Sequence, residues 1–334
     1  MGNLLEIRDL KVSFATNTGK VNAVNGVSYS VKEGEIVGIV GESGSGKSVH
    51  ALSIMQLITR SCGQIDSGSV KFRDIDLLAL TPKKMRAIRG REIAMIFQDP
   101  ISSLNPVYTI GFQMREVLEC HLGITRAEAH DRSEQLLIQV GISDARQRLD
   151  SYPHELSGGM RQRVMIAIAM ACDPSLLIAD EPTTALDVTI QAQIVQLIKR
   201  LQREHNLTVI WISHDLGVIA GLAHTVNVMY AGMVVERGPV NDIYKSPCHP
   251  YTKGLLESVP RLDHKSETRL NSIPGSPPDM TRLPNECPFA PRCGHADDRC
   301  NTKMPIVETT YSQDHTVMCW NWRDVVNGDS HSDR

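Results

Sequence analysis

The stretch GESGSGKS, residues 41–48, carries the residue types that bind phosphate groups. It follows the apolar run IVGIV and precedes a segment with helical composition, which is the setting of a P-loop. Glycines there allow backbone N–H groups to turn inward around phosphate oxygens. Lys47 would reach the β- and γ-phosphates, and the Ser48 hydroxyl would bind Mg²⁺. The predicted phosphate-binding residues are Gly41, Ser43, Gly44, Ser45, Gly46, Lys47 and Ser48.

Two acidic residues stand at the end of a second apolar run. In LLIADEP, Asp180 and Glu181 follow residues that predict a buried strand. A carboxylate in this place can hold Mg²⁺ through water, and its neighbour can polarise a water that attacks phosphorus. Acidic residues commonly follow strands, so the pair is informative only together with the P-loop.

The segment LSGGMRQRV, residues 156–164, has the composition of a helix start. Ser157, Gly158 and Gly159 would cap this helix, whose N-terminus could hold a second phosphate. An ordinary helix cap without a ligand is the alternative that this segment leaves open.

The elements around these motifs predict an α/β fold. Short strands are indicated within residues 4–40, and residues 65–97 are also rich in strand signals. Residues 110–148 have a helical pattern. From 160 to 238 helices alternate with apolar strands, the last of them predicted over 225–238. Strands separated by helices indicate a mainly parallel sheet with helices on its faces.

Length and composition bound the remaining possibilities. The 334 residues allow one large domain with an appendage, or two domains. A net charge of -3 and an aromatic content of 4% do not favour a nucleic-acid partner. No stretch approaches the roughly 18 apolar residues of a membrane span, and the N-terminal sequence lacks the pattern of a signal peptide. We therefore expect a cytoplasmic chain.

After about residue 245 proline and polar residues dominate, which predicts a separate, loop-rich C-terminal extension.

In order and spacing, the motifs resemble those of the ABC ATPases. They are the P-loop at 41–48, Gln98, LSGGM at 156–160, LLIADEPTTALD at 176–187, and WISHD with His214. The resemblance covers roughly residues 4–240. It implies a P-loop NTPase fold with a parallel-sheet core, an antiparallel β subdomain and a helical subdomain at about 98–155. We place the ABC ATPase domain at 1–245 and the C-terminal extension at 246–334.

The resemblance implies a role for each residue around the γ-phosphate. Glu181 would be the general base, and Asp180 the carboxylate on the magnesium side. Gln98 would sense Mg²⁺ and the lytic water, and His214 would clamp the γ-phosphate. The predicted magnesium-binding residues are therefore Ser48, Gln98 and Asp180.

The resemblance also implies contacts with the base and with a second subunit. Phe14 falls where the family places an aromatic ring against adenine, although an ordinary strand-core role is the alternative. Asp187 would lie at the seam of an ATPase dimer. In this family, ATP is sandwiched between the P-loop of one subunit and the LSGG segment of the other. The chain carries one copy of each, so we expect a second ATPase subunit, identical or paralogous. Met160 departs from the glutamine common in the LSGG segment.

Further segments resemble the ATPases of the peptide and nickel permeases. They are FQDPISSLNPVYTIGFQ, CHPYTKGLLESVP and IPGSPPDM followed by CPFAPRC. The match is closest to the dipeptide and oligopeptide importer subunits. It implies a peripheral ATPase on the cytoplasmic face of the bacterial inner membrane, with two membrane-spanning permease subunits and, indirectly, a periplasmic binding protein. A coupling helix of the permease would dock on residues 98–155. Nickel or another small solute is the alternative cargo. A soluble ABC protein of translation or repair is the alternative class.

Four cysteines in the C-terminal extension have the spacing C-x5-C-x6-C-x18-C. Because cytoplasmic thiols stay reduced, we do not expect disulfides. Four thiolates suit an iron–sulfur cluster or Zn²⁺, and unligated thiols are a third possibility. The resemblance to the peptide-permease ATPases favours a [4Fe–4S] cluster. The predicted ligands are Cys287, Cys293, Cys300 and Cys319, with His295 as a possible substitute.

Overall fold

The computed structural model describes residues 2–17, 19–58, 62–99, 103–184, 186–258, 273–283 and 285–328. The strands in these ranges are β1 (Asn3–Thr16), β2 (Gly19–Lys32), β3 (Ile36–Val40), β4 (Gly63–Phe72), β5 (Ile75–Asp76), β6 (Ile93–Ile96), β7 (Leu176–Asp180), β8 (Thr208–Ile212), β9 (Thr225–Tyr230), β10 (Met233–Pro239), β11 (Glu308–Thr309) and β12 (Thr316–Val317). The α-helices are α1 (Lys47–Ile54), α2 (Pro82–Ile88), α3 (Ile110–Leu122), α4 (Arg126–Gln139), α5 (Ala145–Arg148), α6 (Gly158–Met170), α7 (Val188–His205), α8 (Leu216–Leu222), α9 (Val240–Lys245), α10 (Pro250–Glu257) and α11 (Trp322–Asn327).

The chain forms two compact units. The first unit contains Lys32–Ile36 and Ala79–Ile212, together with the N-terminal end as far as Leu4. The second unit contains Leu5–Val31, Val37–Leu78 and the chain from Ser213 onward.

The first unit contains parallel strands in the order β8-β7-β6. Every residue of β7 and β8 is buried, as is typical of strands covered on both faces of a sheet. The β7–β8 register pairs Asp180 with Ile212. The last position of β7 therefore places an acidic side chain at the carboxyl end of the strands, which is the edge where α/β proteins bind ligands.

Helices α3 to α6 make up most of the rest of the first unit. Helix α4 begins with a capping box. The Glu128 N–H donates to Thr125 Oγ1 at 3.4 Å, and the Thr125 N–H donates to the Glu128 carboxylate at 2.8 Å. Met114 and Leu118 on α3 and Leu137 on α4 are fully buried. The helical pattern predicted for 110–148 is confirmed.

The second unit contains two groups of strands. One has the order β2-β1-β4-β5, in which β4 pairs antiparallel with both β1 and β5. The other has the order β11-β12-β10-β9-β3, in which β3 and β9 are parallel. The strand predicted over 225–238 is wrong as a single element. Strands β9 and β10 form an antiparallel hairpin, because Ala231 and Gly232 have φ angles of 50° and 74°, which suit a two-residue turn.

The C-terminal extension contributes strands β11 and β12 to the sheet that contains β9 and β10. Strand β12 pairs antiparallel with β10, with Val317 opposite Glu236. Residues 259–272, 284 and 329–334 of the predicted extension, and 100–102 of the predicted helical subdomain, lie outside the described residues. The domain boundary at residue 245 stays a prediction.

Among the helices of the described ranges, none combines the length and the apolar composition needed to cross a lipid bilayer. The parallel strands, the antiparallel β-sheet and the helical segment confirm the predicted α/β fold class.

Candidate nucleotide site and cysteine-lined cavity

The P-loop connects β3 to α1 in the second unit. Gly46 caps α1 with a φ of 97°, and a Cβ atom there would lie 2.3 Å from the carbonyl oxygen of Ala23. Only glycine fits this position, because an L side chain is disfavoured at that angle and also meets backbone. The sequence GSGK therefore turns sharply into the helix, which leaves the first N–H groups of α1 at its positive end.

The side chains of the P-loop fit a phosphate ligand. Lys47 is 6% exposed, and its Nζ donates to the carbonyls of Gly41 at 2.7 Å and Glu42 at 3.0 Å. The buried Ser45 hydroxyl has no hydrogen-bond partner within the described residues. A buried polar group without a partner is costly, and a phosphate oxygen would satisfy it. The first turn of α1 also carries no acidic residue that would repel an anion.

The remaining P-loop positions differ in their exposure to solvent. Ser43 and Gly44 are exposed, Gly41 is buried, and Ser48 is half-buried in the first turn of α1. The middle of the loop is therefore exposed to solvent and its first residue is buried, whereas the predicted magnesium-binding residue Ser48 is intermediate in exposure.

The acidic pair lies in the first unit at the end of β7. Asp180 is 5% exposed. Glu181 follows it with a φ of 46°, a left-handed conformation that is strained for a side chain of this kind. The Glu181 N–H donates to the Ile212 carbonyl at 3.0 Å. Such strain is often found at functional sites, where the surrounding structure fixes one side chain in a required direction.

The structure brings Gln98 and Glu181 together. The Gln98 side-chain amide donates to Glu181 Oε2 at 3.1 Å. Thr184 donates its hydroxyl proton to the same oxygen at 3.0 Å. Thr184 was not among the predicted residues, although its place three residues after a candidate base, in DEPTT, is a signal that could have indicated it.

The LSGG segment begins α6 in the first unit. The Ser157 hydroxyl accepts the Met160 N–H at 3.3 Å, as expected for an N-cap. Ser157 and Gly158 are exposed and Gly159 is half-buried. No acidic residue lies in the first turn. This helix end faces solvent with its positive dipole, so it can accept an anion from outside the chain.

Asp187, another predicted residue of the first unit, caps α7. Its carboxylate accepts the Ile190 N–H at 2.9 Å. Asp187 is exposed, and the adjacent Val188 is 82% exposed. The cap fixes the direction in which α7 leaves the acidic loop.

Phe14 and His214 lie in the second unit. Phe14 is half-buried on β1 opposite Gly63 of β4, whereas its neighbour Val12 is fully buried. A strand-core residue would be buried like Val12, so the exposure of Phe14 favours a ring with a face available to a ligand. His214 is exposed, and the next residue, Asp215, caps α8 by accepting the Gly217 N–H at 2.8 Å.

Comparison with known proteins identifies the family. The ABC transporter family matches residues 24–184. The chain is 49% identical to a putative peptide import ATP-binding protein of Brucella melitensis, over 96% of this chain and 98% of the relative. It is 52% identical to the oligopeptide transport ATP-binding protein OppD of Salmonella typhimurium, over 91% of this chain and 90% of the relative. This chain is an ABC transporter ATPase.

A solved structure and a second family extend this result. An ATP-binding cassette in a dimeric post-hydrolysis state with ADP and Pi matches with a TM-score of 0.64 and 28% identity, over 71% of this ABC ATPase and 98% of that chain. The oligopeptide/dipeptide transporter C-terminal region matches residues 235–300. The resemblance predicted from the motifs, the P-loop NTPase fold and the ATPase activity are confirmed.

The four predicted cysteine ligands of this ABC ATPase line one small cavity in the second unit. Its volume is about 10 Å³, close to the smallest space that can hold one water molecule. His295 lines it too. No disulfide joins the cysteines of the described residues. Those outside the cavity lining are the exposed Cys62 and Cys120 and the buried Cys172 and Cys248.

Hydrogen-bond donors point at these sulfurs. The His295 N–H donates to Cys293 Sγ at 3.3 Å, and the Asn321 side-chain amide donates to Cys300 Sγ at 3.9 Å. Burial, together with the neighbouring Cys287 and Cys300, raises the pKa of Cys293 to about 12. Burial likewise raises the pKa of Cys319. The donor set therefore suits a soft metal centre, because a cation offsets the desolvation of thiolates and N–H groups stabilise sulfur ligands.

A second buried cluster joins Glu236, Cys248 and His315. Glu236 accepts the backbone N–H groups of Cys248 at 2.6 Å and His249 at 3.0 Å. His315 Nε2 lies 2.7 Å from the same carboxylate. Protein groups therefore satisfy this carboxylate, and the cluster fastens the extension to β10. No sequence motif surrounds Glu236, so this cluster was not among the predicted sites.

Proposed function

We propose that this ABC ATPase powers a bacterial inner-membrane importer for dipeptides or oligopeptides. The observation that carries the proposal is the combination of ATPase motifs with an oligopeptide/dipeptide transporter C-terminal region at 235–300. Relatives named for peptide import cover nearly the whole chain, which supports the same cargo. Nickel or another small solute is the second candidate.

ATP binding is assigned to the P-loop, with Phe14 against the adenine ring. Lys47 would exchange its bonds to the Gly41 and Glu42 carbonyls for bonds to the β- and γ-phosphates. Ser45 would gain an acceptor for its buried hydroxyl. Bound Mg²⁺ would neutralise phosphate charge, and Ser48, Gln98 and Asp180 are the proposed residues that hold it.

Hydrolysis is assigned to Glu181 as general base. A water oxygen forms a bond to the γ-phosphorus while the bond from that phosphorus to the β–γ bridging oxygen breaks, which yields ADP and inorganic phosphate. Glu181 accepts the proton of the attacking water, and the hydrogen bonds from Gln98 and Thr184 orient its carboxylate. His214 would hold the γ-phosphate.

A second ATPase subunit, identical or paralogous, is proposed to complete each site. The exposed N-terminus of α6, with Ser157, would face the nucleotide of the partner, and Asp187 would lie at the seam. Two membrane-spanning subunits would hold the ATPases on the cytoplasmic face of the membrane. The exposed Val107, Tyr108 and Phe112, which are 70%, 45% and 37% exposed, supply an apolar surface for a coupling helix. A periplasmic binding protein would deliver the cargo.

Affinity purification from native membranes tests the assembly. A tagged full-length chain should recover two membrane-spanning proteins and an ATPase subunit, and peptide should stimulate ATP hydrolysis by the recovered complex. Recovery without any membrane-spanning protein would favour a soluble ABC protein. Stimulation of ATP hydrolysis by nickel, and not by peptide, would show that nickel is the cargo.

The four-cysteine cavity is proposed to hold a [4Fe–4S] cluster, with Cys287, Cys293, Cys300 and Cys319 as ligands. Tetrahedral zinc requires four sulfurs about 3.8 Å apart. Within the described residues, no three of these cysteines bring their sulfurs within 4.8 Å of one another. A cluster has four irons and one thiolate on each, so it suits the wider spacing.

Anaerobic purification tests the metal. The protein should be brown, with iron and sulfide in equal amounts and an EPR signal after reduction, and Cys293→Ser should lose all three. Cys120→Ser, at an exposed cysteine outside the cavity, is the control that should keep them. A colourless protein with one zinc ion per chain would overturn the cluster in favour of zinc.

A further inference from the structure

The second residue of the P-loop, Glu42, is held by groups of the C-terminal extension. Arg292 Nη1 donates to Glu42 Oε2 at 2.7 Å, and Nη2 donates to Oε1 at 3.0 Å. The Glu42 backbone N–H donates to the Tyr251 hydroxyl at 2.7 Å. The side chain and the main chain of this loop residue are therefore both fixed by residues far along the sequence.

Arg292 is itself fixed by its surroundings. Its side chain is 4% exposed, and its Nε donates to the Pro274 carbonyl at 2.8 Å. The guanidinium carbon lies 5.8 Å from the Tyr230 ring centre and 5.9 Å from that of Phe289. Paired hydrogen bonds to one carboxylate fix direction as well as distance, which a lysine in this place would not reproduce.

Glu42 in turn contacts the phosphate-binding lysine. Lys47 Nζ donates to the carbonyls of Gly41 and Glu42. A displacement of Glu42 would move those carbonyls and alter the starting position of the ammonium group. The expected consequence is a change in nucleotide affinity, because Lys47 contacts phosphate during binding.

The same arginine lies beside the cysteine cavity. Arg292 directly precedes Cys293 in CPFAPRC, within the short 3₁₀ helix Ala290–Arg292. The Cys287 carbonyl accepts the Ala290 N–H at 3.1 Å, and the Ala290 carbonyl accepts the Cys293 N–H at 3.2 Å. One tight turn therefore carries two of the cavity cysteines and the arginine that holds the P-loop.

A second connection runs through aromatic rings. Phe289 lines the cysteine cavity. Its ring centre lies 5.3 Å from that of Tyr230 and 5.5 Å from that of Tyr251. Tyr251 has no exposed surface, so its hydroxyl cannot leave Glu42 without repacking these rings.

We propose that Arg292 and Tyr251 are positioning residues for the P-loop, and that they couple the four-cysteine site to nucleotide affinity. An intact cysteine site keeps the turn from Cys287 to Cys293 in shape, which holds Arg292 on Glu42 and the loop ready for ATP. The inference rests on ATP binding by the P-loop. It is independent of the metal that the thiols bind and of the cargo.

Equilibrium binding of a fluorescent ATP analogue with Mg²⁺ to the full-length chain tests the first step. Arg292→Lys and Tyr251→Phe should each weaken binding about tenfold, since each loses an oriented hydrogen bond at the loop. The controls are Arg132→Lys, which loses bonds to the Ala171 carbonyl and to Asp173, and Tyr244→Phe, which loses a bond to the Leu216 carbonyl. Both should stay within twofold of the unsubstituted protein. Unchanged affinity in Arg292→Lys and Tyr251→Phe, with unchanged melting temperatures, would overturn the proposal.

The double variant Glu42→Gln/Arg292→Lys separates positioning from a general structural role. Both single substitutions break the same ion pair, so the double variant should bind nucleotide no more weakly than the weaker single variant. Effects that multiply would show that the two residues act independently and would contradict the coupling. Hydrolysis by the assembled transporter should show a raised KM for ATP with kcat within about threefold.

A cysteine substitution tests the connection to the cavity. Cys293→Ser should weaken nucleotide binding severalfold in the native background and have little further effect in the Arg292→Lys background. An equal effect in both backgrounds, or none in either, would overturn the coupling through Arg292. If Cys293→Ser does not fold, Cys319→Ser serves in its place, because Cys319 lines the same cavity from another segment. Nucleotide binding by the unsubstituted chain is measured first, so a failure of ATP binding itself is distinguished from a failure of the coupling.

Discussion

The Gln98 side chain donates to the Glu181 carboxylate at 3.1 Å, although 83 positions separate the two residues. The Thr184 hydroxyl reaches the same oxygen, and the left-handed backbone of Glu181 directs the side chain. Three independent features of the structure thus fix one carboxylate at the end of β7. That arrangement is expected of a general base, whose direction matters as much as its pKa.

Glu181→Gln should abolish turnover and keep nucleotide binding. The amide preserves the shape of the side chain but cannot accept the proton of the attacking water. We expect a loss of at least about 100-fold in phosphate release at saturating ATP, with the affinity for ATP within about threefold. Glu204→Gln, at an exposed glutamate of α7, is the control. Hydrolysis at the native rate in Glu181→Gln would show that another group is the base.

Gln98→Ala and Thr184→Val should each slow hydrolysis by a smaller factor. Each removes one hydrogen bond that orients Glu181, so we expect a decrease of about 3- to 10-fold in kcat. In a Glu181→Gln background Thr184→Val should not slow the residual reaction further, because Thr184 acts through that carboxylate. Gln98→Ala should still slow it, because Gln98 is also proposed to hold Mg²⁺. A further loss with Thr184→Val would assign Thr184 a role independent of Glu181.

Two alanine substitutions in the P-loop should differ sharply. A Cβ atom at Gly44 meets nothing within 4 Å, so Gly44→Ala carries only the cost of a φ of 80°, which is about 1 kcal/mol. A Cβ atom at Gly46 would lie 2.3 Å from the Ala23 carbonyl oxygen, so Gly46→Ala must also distort backbone. We expect Gly46→Ala to lose nucleotide binding and Gly44→Ala to retain it. Equal affinities in the two variants would contradict the loop geometry.

Local sequence composition predicts some of these glycine-containing turns and not others. A strand, a glycine-rich loop and a helix follow directly from local composition, so the P-loop and α1 were predictable. The hairpin turn at Ala231 and Gly232 was missed because the apolar pattern of β9 and β10 continues across it. The reversal is shown by the antiparallel pairing of β9 with β10 and by the two positive φ angles between them.

Long-range contacts were beyond the sequence. The Glu42–Arg292 pair joins residues 250 positions apart, and no local pattern indicates which acid a distant arginine meets. The buried pair of Glu236 and His315 is likewise a contact that no local sequence pattern indicates. The cysteine cavity was anticipated from residue type and spacing, whereas the N–H groups aimed at its sulfurs depend on the fold of the turn.

Two buried histidines should make the protein sensitive to acid. Burial lowers the pKa of His50 and of His249 from 6.5 to about 4. Between those values the unfolded chain binds protons that the folded chain does not, so stability falls as the pH decreases through this window. From pH 7 to pH 5 each histidine should remove about 2 kcal/mol from the free energy of unfolding.

Urea unfolding at pH 7 and pH 5 measures this effect. His50→Asn should reduce the difference in unfolding free energy between the two pH values, whereas His154→Asn, at an exposed histidine, should leave it unchanged. A difference unaffected by His50→Asn would show that this histidine is not held neutral in the folded protein.

ATP hydrolysis by this chain is proposed to drive peptide import. The uptake of a labelled dipeptide or oligopeptide tests this in cells whose only copy of the gene encodes Glu181→Gln, with the protein amount confirmed by immunoblot. Peptide uptake should fall to background, and the native gene should restore it. Native peptide uptake in the Glu181→Gln cells, or loss of nickel uptake alone, would contradict the proposal.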